Sequence, residues 1–269
     1  MPLIALLFIL GIFAGAVAGF FGVGGGLLFT PILFFVFTGA GVESPETWAI
    51  ASALFCTFIA SISSSIQQNR QKNTFWKEGA VTGIFGALGV YAGKQIVTSD
   101  FFTEDVFVSL FVVLLVFVSI LFYRKSRAKV TLQVKAGEMG WFKMLFAGGC
   151  GGFVASMAGV GGGVVLVPAM NLWYRLPIAK AVSISSLAIV IISFSGWAQY
   201  AFFADGGAGA SSYAIGFVDF GTSLPLVMGA FLGGLAGVKI NEKVKSESVQ
   251  LGFSILVIII ALSLIWSQL

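Results

Sequence analysis

The sequence predicts an all-α polytopic membrane protein built as two inverted repeats, each a glycine-broken helical hairpin followed by three transmembrane helices. Three observations carry that reading. The 269 residues are 58% hydrophobic and only 10% charged, against about 25% charged in soluble domains. The run Gly22-Val23-Gly24-Gly25-Gly26-Leu27-Leu28-Phe29-Thr30-Pro31 returns 137 positions later as Gly159-Val160-Gly161-Gly162-Gly163-Val164-Val165-Leu166-Val167-Pro168. The loop charges, finally, alternate in sign along the chain as a multi-span topology requires.

The first repeat covers residues 1–123. Apolar arms at 3–21 and 27–37 flank the first triple glycine. Each glycine costs a helix about 1 kcal/mol relative to alanine, so three in a row mark a break. A span needs about 20 apolar residues, and the 11-residue arm 27–37 falls short. The two arms therefore read as one re-entrant hairpin, 3–37, although 3–21 is long enough to cross by itself. Met1 to Phe21 lacks a basic leader region and reads as mature protein. Spans follow at 48–68, 78–98 and 106–123, then a basic cytoplasmic linker at 124–140. The second repeat, 141–269, repeats the plan with a hairpin at 141–174 and spans at 180–203, 215–238 and 248–267.

Loop charge sets the sides. Loops 38–47, 99–105 and 204–214 hold acids and no bases, among them Glu43, Glu46, Asp100, Glu104 and Asp205. Arg70, Lys72 and Lys77 mark loop 69–77, and Arg124, Lys125, Arg127, Lys129 and Lys135 mark the linker. Arg175 and Lys180 mark loop 174–180, and Lys239, Lys243 and Lys245 mark loop 239–247. Basic loops are cytoplasmic. All seven assignments agree if each hairpin returns to its own side and three spans follow. Three is odd, so the second half is inverted and the hairpins approach each other from opposite faces of the cytoplasmic membrane.

Composition also excludes. The chain has no His, the commonest catalytic base and metal ligand, and no motif or acidic cluster with metal-ligand spacing. That argues against a membrane-embedded enzyme and implies no cofactor. The net charge of +4 sits in short loops and gives no nucleic-acid signal. Cys56 and Cys150 lie in apolar segments and read as buried thiols. Gly11, Gly15 and Ala18 extend the repeat upstream onto Gly148, Gly152 and Ala155, while Gly89 with Gly93, and Gly229, Gly233 and Gly237, are small-residue rows. Such rows serve close helix packing. Association into a homo-oligomer is left open.

Candidate binding groups cluster at the breaks. A half-helix starting near Leu27 would present free N–H groups around Gly24, Gly25 and Gly26. One starting near Val164 would do so around Gly161, Gly162 and Gly163. Such ends attract anions through unpaired donors and the helix dipole, while Pro31 and Pro168 fall where a missing N–H costs little. Beside each break runs a polar helix. Thr57, Ser61, Ser64, Ser65 and Gln68 share largely one helical face, and Ser185, Ser186, Ser193, Ser195 and Gln199 form the second set. Ser61, Ser65, Gln68, Ser193, Ser195 and Gln199 are the candidate ligands, with helix–helix hydrogen bonding as the alternative use. Lys94, near the outer end of its span, reads as a snorkelling side chain.

The doubled glycine hairpin ending in proline resembles the TauE/SafE family of sulfite and organosulfonate exporters. So do the serine-rich helices that follow, Ser61-Ile62-Ser63 through Gln67 and Ser193-Phe194-Ser195 through Gln199, and the likeness covers essentially the whole chain. Val218-Asp219-Phe220 also resembles the family pattern, whereas its counterpart Thr74-Phe75-Trp76 lacks the acid. The resemblance implies a secondary transporter in the lipid bilayer that exports a small sulfur-containing anion such as sulfite, thiosulfate or an organosulfonate. A small-anion channel is the alternative, and a membrane-embedded enzyme a more distant one.

The topology has a direct test. Single cysteines at Ser44 and Ser126 should react with a membrane-impermeant reagent from opposite sides of the membrane. Reaction from one side alone would remove the inverted-repeat plan.

Overall fold

The computed structural model describes residues 2–21, 26–70, 75–127, 139–241 and 246–266. They form an almost wholly helical membrane protein. Its helices are α1 (Pro2–Phe21), α2 (Gly26–Gly39), α3 (Pro45–Arg70), α4 (Trp76–Val97) and α5 (Glu104–Arg127), then α6 (Trp141–Ala158), α7 (Gly163–Pro168), α8 (Ile178–Phe202), α9 (Phe220–Asn241) and α10 (Ser246–Trp266). Local chemistry explains several ends. Pro2 and Pro45 open α1 and α3, where a missing N–H is harmless. Glu104 and Asp105 occupy the first turn of α5 and oppose its dipole. Gly159 ends α6 in the left-handed region at φ 70°, its N–H donating to Ala155 at 2.8 Å.

Among the described residues four helices are long and apolar enough to cross a membrane: Pro45–Ile62, Trp76–Val97, Glu104–Leu121 and Lys180–Phe202. Leu3–Val17, Gly26–Gly39, Phe220–Gly234 and Ser254–Trp266 are shorter apolar helices. Large apolar side chains such as Ile9, Phe13, Phe146, Leu262 and Trp266 stay exposed on the outside, the face a bilayer covers.

Three expectations change. The return arm 164–174 is not one half-helix: α7 has six residues and the next five, Ala169–Trp173, form a π-turn. Pro168 has no N–H to give the carbonyl four residues back, and the chain widens there. The span expected from 215 starts at Phe220, because Ala214–Ile215 pairs antiparallel with Val218–Asp219 in a small β-hairpin around Gly216. Cys56 is buried, but Cys150 is exposed.

Exchanging α1–α5 with α6–α10 maps the principal contacts onto themselves. Helix α1 packs on α9 and α6 on α4; α2 packs on α3 and α7 on α8; α3 meets α8 and α5 meets α10. The α3–α8 crossing is antiparallel, with Phe55 against Trp197 (ring centroids 5.7 Å) and Phe58 against Phe194 (5.4 Å). Helix α2 is sandwiched in the core, where Phe34 meets Phe107 of α5 and Phe37 meets Trp48 of α3.

The glycine rows meet each other at two parallel crossings. Gly11 and Gly15 press on the backbone of Leu226 and Ala230, while Gly229 and Gly233 press on Phe8 and Ile12. At the α4–α6 crossing Gly148 and Gly152 face Thr82 and Gly86, and Gly89 and Gly93 face Gly149 and Phe153. A Cβ at any of these positions would run into a backbone or side-chain oxygen of the partner helix. Backbones this close hold together by dispersion and Cα–H···O contact.

Gly152→Ala should therefore lower thermal stability in detergent, by about 1–3 kcal/mol, as overpacking does. Gly149→Ala, whose Cβ would enter open space, should leave it unchanged or raised. Equal effects of the two substitutions would remove the glycine crossing as the cause.

Candidate functional site

The start of α2 meets the turn between α6 and α7. Thr30 of α2 is fully buried, and its Oγ1 donates to the Ala158 carbonyl at 3.0 Å, with Gly26 O at 3.3 Å. Ala158 closes α6, so its carbonyl is one of those a helix end leaves unpaired. Gly26, the first residue of α2, lies against that turn: its Cβ would fall 2.7 Å from Thr57 Oγ1 and 2.9 Å from the Val160 carbonyl. The turn runs through Gly159, Gly161 and Gly162 at φ 70°, 68° and 80°, a region L side chains rarely enter. A Cβ on Gly161 would sit 2.5 Å from Thr57 Cγ2 and 2.9 Å from Ser193 Oγ.

At that junction two buried polar atoms, Thr57 Oγ1 and Ser193 Oγ, have no hydrogen-bond partner among the described residues, and Trp197 Nε1, one turn along α8, has none either. Thr57 comes from the middle of α3. Ser193 and Trp197 are one turn apart on the face of α8 that meets it. Trp197 sits among Phe55, Phe58, Phe194 and Phe220. Unsatisfied buried groups cost roughly 1–3 kcal/mol each and are scarce in native structures. Thr57 and Ser193, both against Gly161, define the candidate site. It is uncharged: the buried charged residues among those described are Glu46, Lys94 and Asp219, all at helix ends.

The expected ligands divide around it. Gly26, Gly161, Gly162, Gly163 and Ser193 are brought to the junction. Ser61 is buried on α3 but already donates to the Phe58 carbonyl at 2.9 Å, and Ser65 is half-buried one turn further on. Ser195 and Gln199 face α4 instead. Gln199 Nε2 donates to Ser195 Oγ at 2.7 Å and approaches the Ala87 carbonyl at 3.5 Å, leaving Oε1 unpartnered. Ser185 and Ser186 bond back into their own helix. Gly24, Gly25 and the side chain of Gln68 lie outside the described residues.

Thr30, Thr57 and Trp197 were not among the expected ligands. Thr57 heads the polar stripe of α3 and was legible there. Trp197 is hidden in an apolar run, where nothing distinguishes it from a packing residue.

The family model for the sulfite exporter TauE/SafE matches residues 7–264. A probable membrane transporter protein of Methanocaldococcus jannaschii is 28% identical over 252 residues, covering 94% of this chain and 91% of its own length. The probable membrane transporter protein YunE of Bacillus subtilis is 27% identical over 278 residues, 97% of each chain. A probable membrane transporter protein of Haemophilus influenzae is 24% identical over 97% of each. No solved structure matches the chain.

Asp219 stands apart from the junction. Its carboxylate accepts the Ser211 N–H at 2.8 Å, the Ser211 hydroxyl at 2.5 Å and the Thr222 N–H at 3.1 Å. It thereby caps α9 three residues in and ties the β-hairpin to that helix. Its own N–H donates to Ser52 of α3, and the Thr222 and Ser223 hydroxyls donate to its carbonyl. Fully occupied in this way, it has a structural use that needs no partner acid in the first half. Asp219→Ala strands the Ser211 and Thr222 donors and should cost about 1–3 kcal/mol, read as an earlier melting transition. Wild-type stability would overturn the capping role.

Proposed function

The chain belongs to the sulfite exporter TauE/SafE family and is a membrane transporter, and we propose that it exports a small sulfur-containing anion held where the two hairpin tips meet. The pair Thr57 and Ser193 carries this reading: hydroxyls left unpaired at one buried junction match an oxyanion's need for more than one hydrogen bond. Gly26 and Gly161 to Gly163 bring backbone to the same place with no side chain to obstruct an approaching ligand. Gly24, Gly25 and Gln68 complete the proposed site from the first half, and Ser61, Ser65, Ser195 and Gln199 flank it. The antiparallel α3–α8 crossing supports an inverted pair of repeats around the site, with loops 38–47 and 99–105 outside and 124–140 inside.

A site without charge binds weakly, because neutral dipoles restore only part of an ion's hydration. Weak binding suits release. A negative interior favours anion exit by about 2.3 kcal/mol per charge per 100 mV, so export needs no coupling residue. The tip-to-tip contact through Thr30 and Ala158 favours a carrier over a continuous pore.

Gly162, at φ 80°, strains under any substitution and cannot separate binding from folding. Thr57→Val and Ser193→Ala keep shape and remove one donor each. Calorimetric titration of the purified protein with sulfite, thiosulfate and methanesulfonate should show each variant weakening by about 1.5–3 kcal/mol, the value of one hydrogen bond to a charged group. Unchanged affinity in both variants would overturn the site.

A further inference from the structure

Lys94 does not snorkel. Its side chain is only 5% exposed, and its ammonium donates to the Phe203 carbonyl just beyond the end of α8. Among the described residues no carboxylate pairs with it. Lysine side chains do bond the last carbonyls of helices, but an uncharged donor such as Gln fills the same hydrogen-bonding need. An ammonium adds a full charge that burial opposes, while the helix end offsets only about half a charge. The charge is more than the cap requires.

Its position suggests where that charge is used. Ala87 and Lys94 lie two turns apart on one face of α4, and both reach α8: Ala87 accepts from Gln199, Lys94 donates to Phe203. Next to Lys94, Gly93 presses on Ser156 of α6, whose carbonyl accepts the Tyr200 hydroxyl at 2.9 Å. The seam between α4 and α8 thus runs from the level of Ser193 past Gln199, with its unpartnered buried Oε1, to Lys94. Ten residues of α8 separate Ser193 from Phe203, about 15 Å of helix. The inner stage is neutral and the outer stage cationic.

We propose that Lys94 is the outer anion-coordinating residue of the passage, resting on the α8 carbonyl in this arrangement and exchanging it for an oxygen of the departing oxyanion. The inference rests on the central site proposed above. A cation at the deep site would hold the ion tightly, whereas at the outer lip it offsets the repulsion an anion meets at the carbonyl end of α8. The expected ligand is a small oxyanion met by a single ammonium.

The experiment compares the full-length protein with Lys94→Gln, which retains a donor for the Phe203 carbonyl without the charge, and Lys94→Arg, which retains both. The probe is the tightest-binding of sulfite, thiosulfate and methanesulfonate, measured by equilibrium binding in detergent and by efflux from proteoliposomes. Lys94→Gln should lower efflux tenfold or more with affinity within twofold of wild type, and Lys94→Arg should retain most of the efflux. Wild-type efflux in Lys94→Gln overturns the inference and leaves the central site standing. Equal loss of efflux in both variants reduces Lys94 to a cap. If none of the three anions binds the wild-type protein, the central site falls and this inference with it.

Discussion

A helix that stops inside a bilayer leaves backbone groups that no water reaches, and the centre of this protein is arranged around that cost. At the end of α6 the Ala158 carbonyl accepts the Thr30 hydroxyl, and the Gly159 N–H turns back to Ala155. The Gly162 carbonyl takes the Val165 and Leu166 N–H groups as α7 begins. The first hairpin therefore supplies a donor that the second lacks. A helix end untenable alone in hydrocarbon thus gains its partner from α2. The side chains left over at that meeting, Thr57 and Ser193, stand out because nearly everything around them is paired.

The glycine crossings position the breaks. With α1 fastened to α9 and α6 to α4 at backbone contact, the helix before each glycine run is held by a helix from the other half of the chain. The tips then have one place to go, against the antiparallel pair α3 and α8. At the C-terminal end of α8, the Lys94 ammonium and the Phe217 N–H take up the carbonyls of Phe203 and Tyr200. Asp219 anchors the β-hairpin that supplies Phe217 N–H. Packing, capping and the candidate site are consequences of the same few helix ends.

Much of this was legible in the residues. Apolar length located the helices, because a bilayer demands about 20 residues regardless of neighbours. The triple glycines located the second tip, because no other residue accepts three left-handed or strained positions so close together. What the sequence left unread depends on direction. Serine at 61 and serine at 193 are indistinguishable as letters, yet the first donates to its own helix and the second has no partner. Ser195 and Gln199 share a helix with Ser193 but face α4, and only the α4–α8 packing decides that. The π-turn after Pro168 and the β-hairpin at Val218 needed the surrounding structure to be seen. The short aromatic stretch at Asp219 carried an acid whose use is a cap, invisible until Ser211 and Thr222 come beside it.

The glycine crossings also bear on how the molecule survives outside its membrane. Cohesion there comes from dispersion and carbonyl dipoles between two backbones, with no side-chain entropy to lose at the contact. Neither force relies on the contrast between water and lipid. A detergent micelle can replace the bilayer around Phe13, Phe146 and Leu262 without weakening the contacts of Gly15 or Gly152. The inner frame is thus indifferent to its solvent, and adaptation to a given lipid falls to the outward-facing side chains alone.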